Sequence, residues 1–389
     1  MFKLLHAGFD TLDVAFQAAL PPDTLECLKQ ARDRAAEGQE PVLTRIGPGN
    51  VPLHIQASVM RGGYAYVAQA GPIDGVWRFK ANADPTQWNI FASPSAAGMA
   101  ATGYHGMRNR MFEFLSGMGA IVTGHSINRA DFAMDFLAPG LSLNLDRFVA
   151  HAHCKITPYW GEKAEGQNRN QPSAVLRGRN LESVTIGKMP GRQIIIYDKR
   201  REAIVKQKPF WFSIWDIDKD DPGAMVWRVE VRAGKTELKE RWNIRTFDDV
   251  EASIGDVITH ALSDVRYLDD DQTDSNITRQ RLHPLWQSAQ QAAERSLVDY
   301  RSGLTPGQLR EIMREQALRQ YKQLMTGNAI GYAVALGLDG EQILEEFPEL
   351  ARQAMTANSD EDIARRMKAI GRARERLTFL APPLPNGAF

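Results

Sequence analysis

Alternation of apolar and polar residues dominates the first 245 positions of the chain. A first alternating run at residues 8–18 is followed by short runs rich in Val, Ile, Tyr and Phe at 42–46, 53–59, 64–69, 75–80 and 88–92, separated by Gly, Pro and Asp. This pattern predicts a meander of antiparallel strands. Helical spacing predicts two intervening helices, at about 21–38 and 95–117. The chain is therefore expected to have an α+β fold.

The same arrangement occurs a second time. Residues 9–16 and 131–136 both read as acidic strands, and each is followed by a predicted helix, the second at about Asn144 to Ala152. We therefore expect two similar antiparallel-sheet lobes with helices packed on one face, at residues 1–120 and 121–245. Within the second lobe, the composition of Lys206–Phe212 predicts an exposed linker. Helical spacing prevails after residue 245, so residues 246–389 are expected to form an α-helical C-terminal domain.

A predicted β-hairpin at Val184–Glu202 carries the first candidate for chemistry. Two apolar runs flank a turn at Gly187–Gly191, and the second strand spans about Arg192 to Lys199. Alternation places Gln193, Ile195, Tyr197 and Lys199 on one face. A phenol beside an ammonium and near a bound cation can attack a phosphodiester, as in DNA-nicking enzymes. The alternative is a tyrosine that caps a core strand with its hydroxyl in water.

Two further strands carry carboxylates. In the strand at 125–136, Arg129, Asp131, Ala133 and Asp135 share a face, and the small central residue leaves room for a hard divalent cation between the carboxylates. A solvated face of alternating charge is the alternative. In the strand at 225–232, Glu230 lies between two arginines, which predicts either an ion-paired ladder or a third carboxylate for the same metal.

A competing motif is His151-Ala-His153, which has the spacing of the metal-binding pair in HUH nickases. Both imidazoles would share a face only on a strand, whereas the preceding residues have helical spacing. On a helix, side chains two positions apart do not face each other. The acidic ligand set is therefore favoured over this pair.

Composition adds three expectations. The chain has 389 residues and a formal net charge of zero, which argues against a uniformly basic nucleic-acid binder, but positive charge is concentrated around Tyr197. Two cysteines are too few for a disulfide framework and favour a reducing compartment. No signal-peptide pattern is present, and no stretch approaches the ~20 apolar residues of a membrane span. We expect a cytoplasmic protein without membrane contacts.

Three stretches together resemble the replication initiation factor family, which comprises trans-acting rolling-circle plasmid initiators and related relaxases of conjugative elements. They are Arg129–Asp135, Gly191–Lys199 and Trp227–Arg232, and the resemblance covers roughly residues 8 to 245. It implies that Tyr197 is the nicking tyrosine and Lys199 its basic neighbour. It also implies that Asp131, Asp135 and Glu230 surround a Mg²⁺ or Mn²⁺ ion.

The implied reaction is cleavage of one DNA strand at an origin through a 5′-phosphotyrosine intermediate, followed by rejoining. The DNA partner of this reaction would be an origin that is a hairpin or single-stranded at the nick. A host helicase would assist, and the protein could act as a homodimer. Six arginines are expected to contact DNA: Arg129, Arg177, Arg192, Arg200, Arg201 and Arg228. The alternatives are a conjugative relaxase with the same chemistry, a DNA-binding regulator without cleavage, and an unrelated β-rich enzyme with a carboxylate metal site.

Overall fold

A single antiparallel sheet of eleven strands organises the N-terminal three quarters of the chain. The computed structural model describes residues 2–58, 62–82, 84–150, 173–177, 180–270, 276, 279–356 and 360–380. The sheet is built from β1 (Lys3–Ala19), β2 (Val42–Ile46), β3 (Val51–Ile55), β4 (Tyr64–Gln69), β5 (Val76–Lys80), β6 (Ile90–Ser93), β7 (Ile121–Leu137), β9 (Ser173–Arg177), β10 (Asn180–Gly187), β11 (Arg192–Asp198) and β12 (Val226–Gly234), whereas β8 (Phe148–Ala150) and β13 (Val265–Tyr267) form a separate pair.

The strand order is β2-β3-β4-β5-β6-β1-β7-β12-β11-β10-β9. The two long strands β1 and β7, with 17 residues each, are adjacent at its centre. Strands β2–β6 extend the sheet on the β1 side, and β9–β12 extend it on the β7 side. The two predicted lobes are thus two halves of one continuous sheet.

Ten helices are present in the described part of the chain. They are α1 (Pro22–Gly38), α2 (Gly71–Asp74), α3 (Ala96–Gly117), α4 (Lys199–Val205), α5 (Phe210–Trp215), α6 (Phe247–Asp264), α7 (Pro284–Ala293), α8 (Pro306–Ala335), α9 (Gly340–Met355) and α10 (Asp360–Arg376). The capping box of Thr246 and Asp249 opens α6, as expected where a Thr precedes an acidic N3 residue. None of these helices has the length and apolar character that crossing a membrane requires.

The core lies between the sheet and helices packed on one of its faces. Leu12, Val14 and Phe16 of β1 are fully buried, as the alternation predicts. The Phe16 ring lies 5.9 Å from that of Phe112 on α3, and Tyr104 of α3 donates a 2.7 Å hydrogen bond to the Phe247 carbonyl at the start of α6. The predicted α+β class, with its antiparallel sheet, packed helices and helical C-terminal region, is confirmed.

The chain divides into two compact units, residues 1–306 and 307–389. The first contains the sheet together with α6 and α7, and the second is helical. The expected domain boundaries near residues 120 and 245 stay a prediction. The two halves of the sheet share the β1–β7 pairing, and α6 belongs to the first unit.

Two local predictions are wrong. In the described part of 144–152, the predicted helix is replaced by a 3₁₀ turn at Leu145–Arg147 and by strand β8, which pairs with β13. The stretch 206–212, whose composition suggested an exposed linker, instead leads into the buried helix α5, where Trp211 is 1% exposed. Burying two Trp and two Phe side chains removes so much apolar surface from water that it overrides the local polar flanks.

Candidate active site

The register of three central strands assembles the predicted site on the face of the sheet opposite the α3 and α6 helices. Tyr197 on β11 lies opposite Arg228 on β12, and Arg228 lies opposite Asp135 on β7. Four residues further along β12, Arg232 pairs with Asp131 of β7. Residues directly opposite one another in antiparallel strands share a face. The three motifs, separated by up to about a hundred residues in sequence, therefore meet in one cluster.

Tyr197 lies between a carboxylate and an ammonium group. Its hydroxyl donates a 3.0 Å hydrogen bond to Glu230 Oε2, and Lys199 Nζ approaches the phenol oxygen at 3.5 Å. Lys199 is the first residue of α4 rather than the last residue of the strand, and Asp198 caps that helix by accepting from the Arg201 amide. The phenol oxygen thus has a proton acceptor on one side and a cation on the other.

Burial shifts the titration of this pair in opposite directions. It raises the pKa of Tyr197 well above that of an ordinary phenol, and although Arg228 acts against this shift, the Glu230 carboxylate adds to it. Burial also lowers the pKa of Lys199, with the Arg228 guanidinium adding to the effect. The tyrosine is therefore protonated at neutral pH, so a reaction that uses it as a nucleophile must remove the proton during the attack.

Asp131 and Glu230 are linked through arginine. Arg129 binds both Asp131 carboxylate oxygens, with Nε at 2.9 Å and Nη2 at 2.5 Å from Oδ2. Arg232 Nε lies 2.6 Å from Glu230 Oε1 and 3.8 Å from Asp131 Oδ2, so one cationic nitrogen faces both carboxylates. Burial raises the pKa of Asp131 to about 7, and Glu230 adds to this rise while Arg129 opposes it.

Asp135 has a different environment. Its two oxygens accept hydrogen bonds from Arg228 Nε at 2.5 Å and Nη2 at 2.8 Å, and Trp215 Nε1 donates to Oδ2 at 2.8 Å. The third arm of Arg228 reaches Asp10 Oδ1 at 2.5 Å, while its guanidinium stacks 4.4 Å from the centre of the Trp211 ring. Although burial alone would raise the pKa of Asp135, Arg228 outweighs it and the pKa is lowered.

These contacts decide how well the carboxylates fit the divalent ion that the resemblance implies. Asp131 and Glu230 offer the hard oxygen donors that Mg²⁺ and Mn²⁺ prefer, and the cationic nitrogen of Arg232 faces both. Both oxygens of Asp135 are bound by Arg228 and Trp215, and both oxygens of Asp131 are bound by Arg129, so an ion at either carboxylate would have to displace an arginine. The more exposed Arg129 is easier to displace than the fully buried Arg228, so Asp135 fits the role of a ligand least. Across the described residues, no three His, Cys, Asp or Glu side chains are grouped as a metal shell would require.

A cleft of about 590 Å³ opens beside the tyrosine. Its lining includes Tyr197, five basic side chains (Lys199, Arg201, Lys206, Lys208 and Arg232) and four acidic ones (Asp10, Glu182, Asp198 and Glu202). Glu202 lies among them, accepting from Lys199 at 2.8 Å and from Lys208 at 2.9 Å, and the pKa of its carboxyl is lowered to about 2 because these ammonium groups outweigh burial. Asp10 and Glu182 are themselves ion-paired, with Arg228 and Arg201, so the cleft admits an anionic ligand next to its lysines without being strongly cationic.

The six arginines assigned to DNA separate into groups. Arg201 lines the cleft with an ion pair to Glu182, whereas the Arg200 guanidinium donates to the carbonyls of Lys219 and Asp221. Arg129 binds Asp131 as described above.

Two of these assignments do not match the structure, and one lies beyond its description. Arg228 is 0% exposed and fully committed to carboxylates, so it cannot reach a phosphate. Arg192 is 4% exposed and lies on the other face of the hairpin, bound to Asp264 at 2.5 Å. The side chain of Arg177, at the end of β9, lies outside the described residues, as do His151 and His153.

Sequence reasoning missed the residues that hold Arg228 in place. Strict alternation would place Asp10 on the opposite face from Asp13, but a bulge between Phe9 and Thr11 shifts the register of β1 and turns Asp10 towards the cluster. Trp211 and Trp215 arrive from α5, which follows the tyrosine strand in sequence. The available signal was the aromatic run Phe210–Trp215 itself, because so many large rings in six residues require burial.

The sequence was also compared with known proteins. No family model matches it, and no curated protein matches it. Solved structures that match include the rolling circle replication initiator protein from Geobacillus stearothermophilus, with 13% sequence identity and a TM-score of 0.40. The alignment covers 76% of this chain and 99% of that chain. A likeness of this extent assigns no function, so membership of the replication initiation factor family stays a prediction.

Proposed function

We propose that this chain is a DNA nickase and strand transferase that starts rolling-circle replication or transfer, with Tyr197 as its nucleophile. The observation that carries the proposal is the position of the Tyr197 hydroxyl, 3.0 Å from Glu230 and 3.5 Å from Lys199, at the wall of a cleft whose lining includes three lysines and two arginines. A buried structural tyrosine also needs a hydrogen-bond acceptor, so the features that support a nucleophile are the ammonium beside the oxygen and the cleft that opens next to it.

In the proposed cleavage, the phenol oxygen attacks phosphorus while its proton passes to the Glu230 carboxylate. The bond from phosphorus to the 3′ oxygen breaks, and the leaving oxygen takes a proton from the Lys199 ammonium, whose lowered pKa makes it a stronger acid than an ordinary lysine. The 5′ phosphate remains on the tyrosine, and the reverse sequence rejoins the strand. Because its raised pKa keeps Tyr197 protonated at neutral pH, the phenol must lose its proton during the attack, and Glu230 accepts that proton.

Asp131 and Glu230 are the residues that would hold Mg²⁺ or Mn²⁺ in this proposal. When bound, such an ion would polarise the scissile phosphate and neutralise charge that develops on its oxygens. Arg232, which faces both carboxylates, and the cleft lysines Lys206 and Lys208 would bind the flanking phosphates.

A non-catalytic DNA-binding regulator is the second candidate. It is favoured by the arginines that already occupy the carboxylates: Arg129 on Asp131, Arg232 on Glu230 and Arg228 on Asp135. A regulator would use the same cleft without breaking a bond. A conjugative relaxase differs from a replication initiator only in the DNA it recognises, so the site chemistry does not separate those two.

The decisive experiment incubates the chain with a supercoiled plasmid that carries the DNA flanking its own coding sequence, in Mg²⁺ or Mn²⁺. Wild type is expected to give open circles with protein covalently attached to the 5′ end. Tyr197→Phe should give no open circles yet retain DNA binding, because only the nucleophilic oxygen is removed. Tyr332→Phe, an exposed tyrosine of the C-terminal unit, is the matched control and should nick normally.

Three results would contradict the proposal. Nicking by Tyr197→Phe at the wild-type rate would rule out this nucleophile, and a wild-type protein that binds the plasmid but never nicks it would support the regulator. Unchanged nicking in EDTA would remove the metal from the proposal while leaving the tyrosine in place.

A further inference from the structure

A second cleft, of about 560 Å³, opens on the β1, β6 and β7 part of the sheet. Nothing in the proposed reaction uses it. Its lining combines three aromatic side chains with four basic ones: Tyr64, Trp88, Phe91, Arg129, Lys235, Lys239 and Arg245. Asp13 is the single acidic residue of this lining. The cleft is therefore both cationic and aromatic.

Strand register places both clefts on the same face of the sheet. Arg232, which lines the first cleft, pairs with Asp131, and two residues further along β7 Arg129 pairs with Asp13 of β1. Ala15 of β1 then pairs with Phe91 of β6. Opposite residues share a face, so the second cleft continues the first across the sheet. Arg129 joins them physically, because it lines the second cleft and binds Asp131 of the site.

The aromatic residues of the second cleft present their rings at its surface. Trp88 is 41% exposed, and the rings of Tyr64 and Phe91 lie 6.0 Å apart. Arg78 lies 5.5 Å above the Phe91 ring and Lys80 lies 5.8 Å above the Tyr64 ring. Cations stacked on aromatic rings hold those rings in place at a surface that water reaches.

We propose that this second cleft binds single-stranded DNA, as a continuation of the strand that Tyr197 cuts. The inference rests on the proposed function, because the DNA strand assigned to this cleft is the one that Tyr197 would cut. Aromatic rings at a surface stack on unpaired bases, and lysines and arginines around them neutralise the phosphates of the DNA backbone. Proteins that bind single-stranded DNA combine these two features. Bases in a duplex keep their faces stacked on one another and cannot use such rings.

The separation of the two clefts fits a single strand that runs across the sheet. Four strand-to-strand steps separate Tyr197 on β11 from Phe91 on β6. At about 4.8 Å per step this is about 19 Å across the strands. Tyr197 is in register with Asp135 of β7, and Phe91, through Ala15, is in register with Ser126, which adds about 30 Å along the strands at about 3.3 Å per residue. The two side chains are therefore about 35 Å apart, a path that several nucleotides span. A strand engaged in both clefts is held on one side of the scissile phosphate by stacking, which orients it for attack.

The test measures binding of a fluorescent oligothymidine to the full chain by anisotropy, in EDTA so that no strand is cut. Trp88→Ala should weaken binding about tenfold, and Trp88→Phe should restore most of it because a ring remains to stack. The double variant Lys235→Ala, Arg245→Ala should reduce the slope of log K against log salt by about 1.4, or about 0.7 per lost phosphate contact. Both residues are exposed, so neither substitution removes buried contacts.

Two matched controls lie outside the clefts. Tyr321→Ala removes an exposed aromatic ring from the C-terminal unit, and Lys29→Ala removes an exposed lysine from α1. Both should bind within twofold of wild type. If Trp88→Ala loses helix signal in circular dichroism, photocrosslinking of a bromouracil-substituted oligonucleotide to the wild-type chain replaces it, and crosslinks at Trp88, Tyr64 or Phe91 support the proposal.

The proposal is overturned if Trp88→Ala and the double variant both bind like wild type, if crosslinks map elsewhere, or if a duplex binds as tightly as the single strand. Failure of the proposed function gives a different result. A chain that never nicks but loses oligothymidine affinity on Trp88→Ala retains this cleft as a single-strand site, whereas a chain that nicks normally with Trp88→Ala and unchanged affinity retains only the tyrosine chemistry.

Discussion

Asp131 and Asp135 lie four residues apart on one strand and face the same way, yet the structure gives them opposite properties. The pKa of Asp131 is raised to about 7, whereas that of Asp135 is lowered. Both are 0% exposed, so burial alone does not distinguish them. The difference is in their partners. Each aspartate is bound by one arginine, but Arg228 on Asp135 is fully buried, whereas Arg129 on Asp131 is partly exposed and Glu230 is a like-charged neighbour of Asp131.

Strand β7 therefore has a structural end at Asp135 and a reactive end at Asp131. Around Asp135, the guanidinium of Arg228 binds the carboxylates of both Asp10 and Asp135, and the indoles of Trp211 and Trp215 pack against this ion-paired group. Around Asp131, Arg129 binds Asp131, Arg232 faces both Asp131 and Glu230, and the Tyr197 hydroxyl donates to Glu230. A carboxylate that accepts from a tyrosine hydroxyl is placed to take its proton.

The largest effect is expected from Glu230→Gln, which tests the reactive end. Removing the proton acceptor of Tyr197 should slow nicking about 10²–10⁴-fold, the usual contribution of general-base catalysis. DNA binding should persist, because the amide retains the size of the carboxylate. Rates are measured by conversion of supercoiled plasmid to open circles, with exposed Glu240→Gln as the control. A Glu230→Gln rate within threefold of wild type would place the acceptor elsewhere.

Asp135→Asn tests the structural end. It leaves the buried Arg228 guanidinium with a neutral partner, and breaking a buried ion pair from one side costs about 3–5 kcal/mol. The free energy of unfolding is read from guanidinium denaturation. Adding Arg228→Met to the same chain should recover part of the loss, since the unpaired charge is then gone. A loss below about 1 kcal/mol for Asp135→Asn would show that this cluster does not stabilise the fold.

The smallest effect is a pH dependence from Asp131→Asn. Because the folded pKa of Asp131, about 7, lies above its ordinary value of 3.8, the folded state keeps a proton that the unfolded chain has lost. Stability from this group is complete below pH 4 and declines as the pH rises to about 7. Asp131→Asn should remove that decline, so its stability relative to wild type rises between pH 4 and 7.

Thermal unfolding across that pH range measures this difference. Exposed Asp256→Asn on α6 is the control and should run parallel to wild type. Parallel curves for Asp131→Asn as well would mean that the carboxyl titrates normally, and the contrast between the two ends of β7 would then be lost.

The sequence allowed much of the site to be predicted and little of its support. Alternation alone put Arg129, Asp131 and Asp135 on one face, and the hairpin with Tyr197 at its end is confirmed. The contribution of α5 was missed because the sequence of this segment does not show which residues its aromatic rings pack against. Without that packing, a buried helix and an exposed linker look alike. Arg228 was assigned to DNA because no local pattern distinguishes a buried arginine from an exposed one.

What the sequence by itself determined is the set of side chains that share each strand face, since a strand has a period of two residues and local geometry suffices to impose it. Which of these side chains meet was decided by tertiary structure. The pairing of β12 with β7 gives Arg228 to Asp135 and Arg232 to Asp131, and the bulge in β1 adds Asp10 to the first pair. Register and bulges depend on contacts between residues far apart in the chain, and these contacts separate the structural carboxylate from the reactive one.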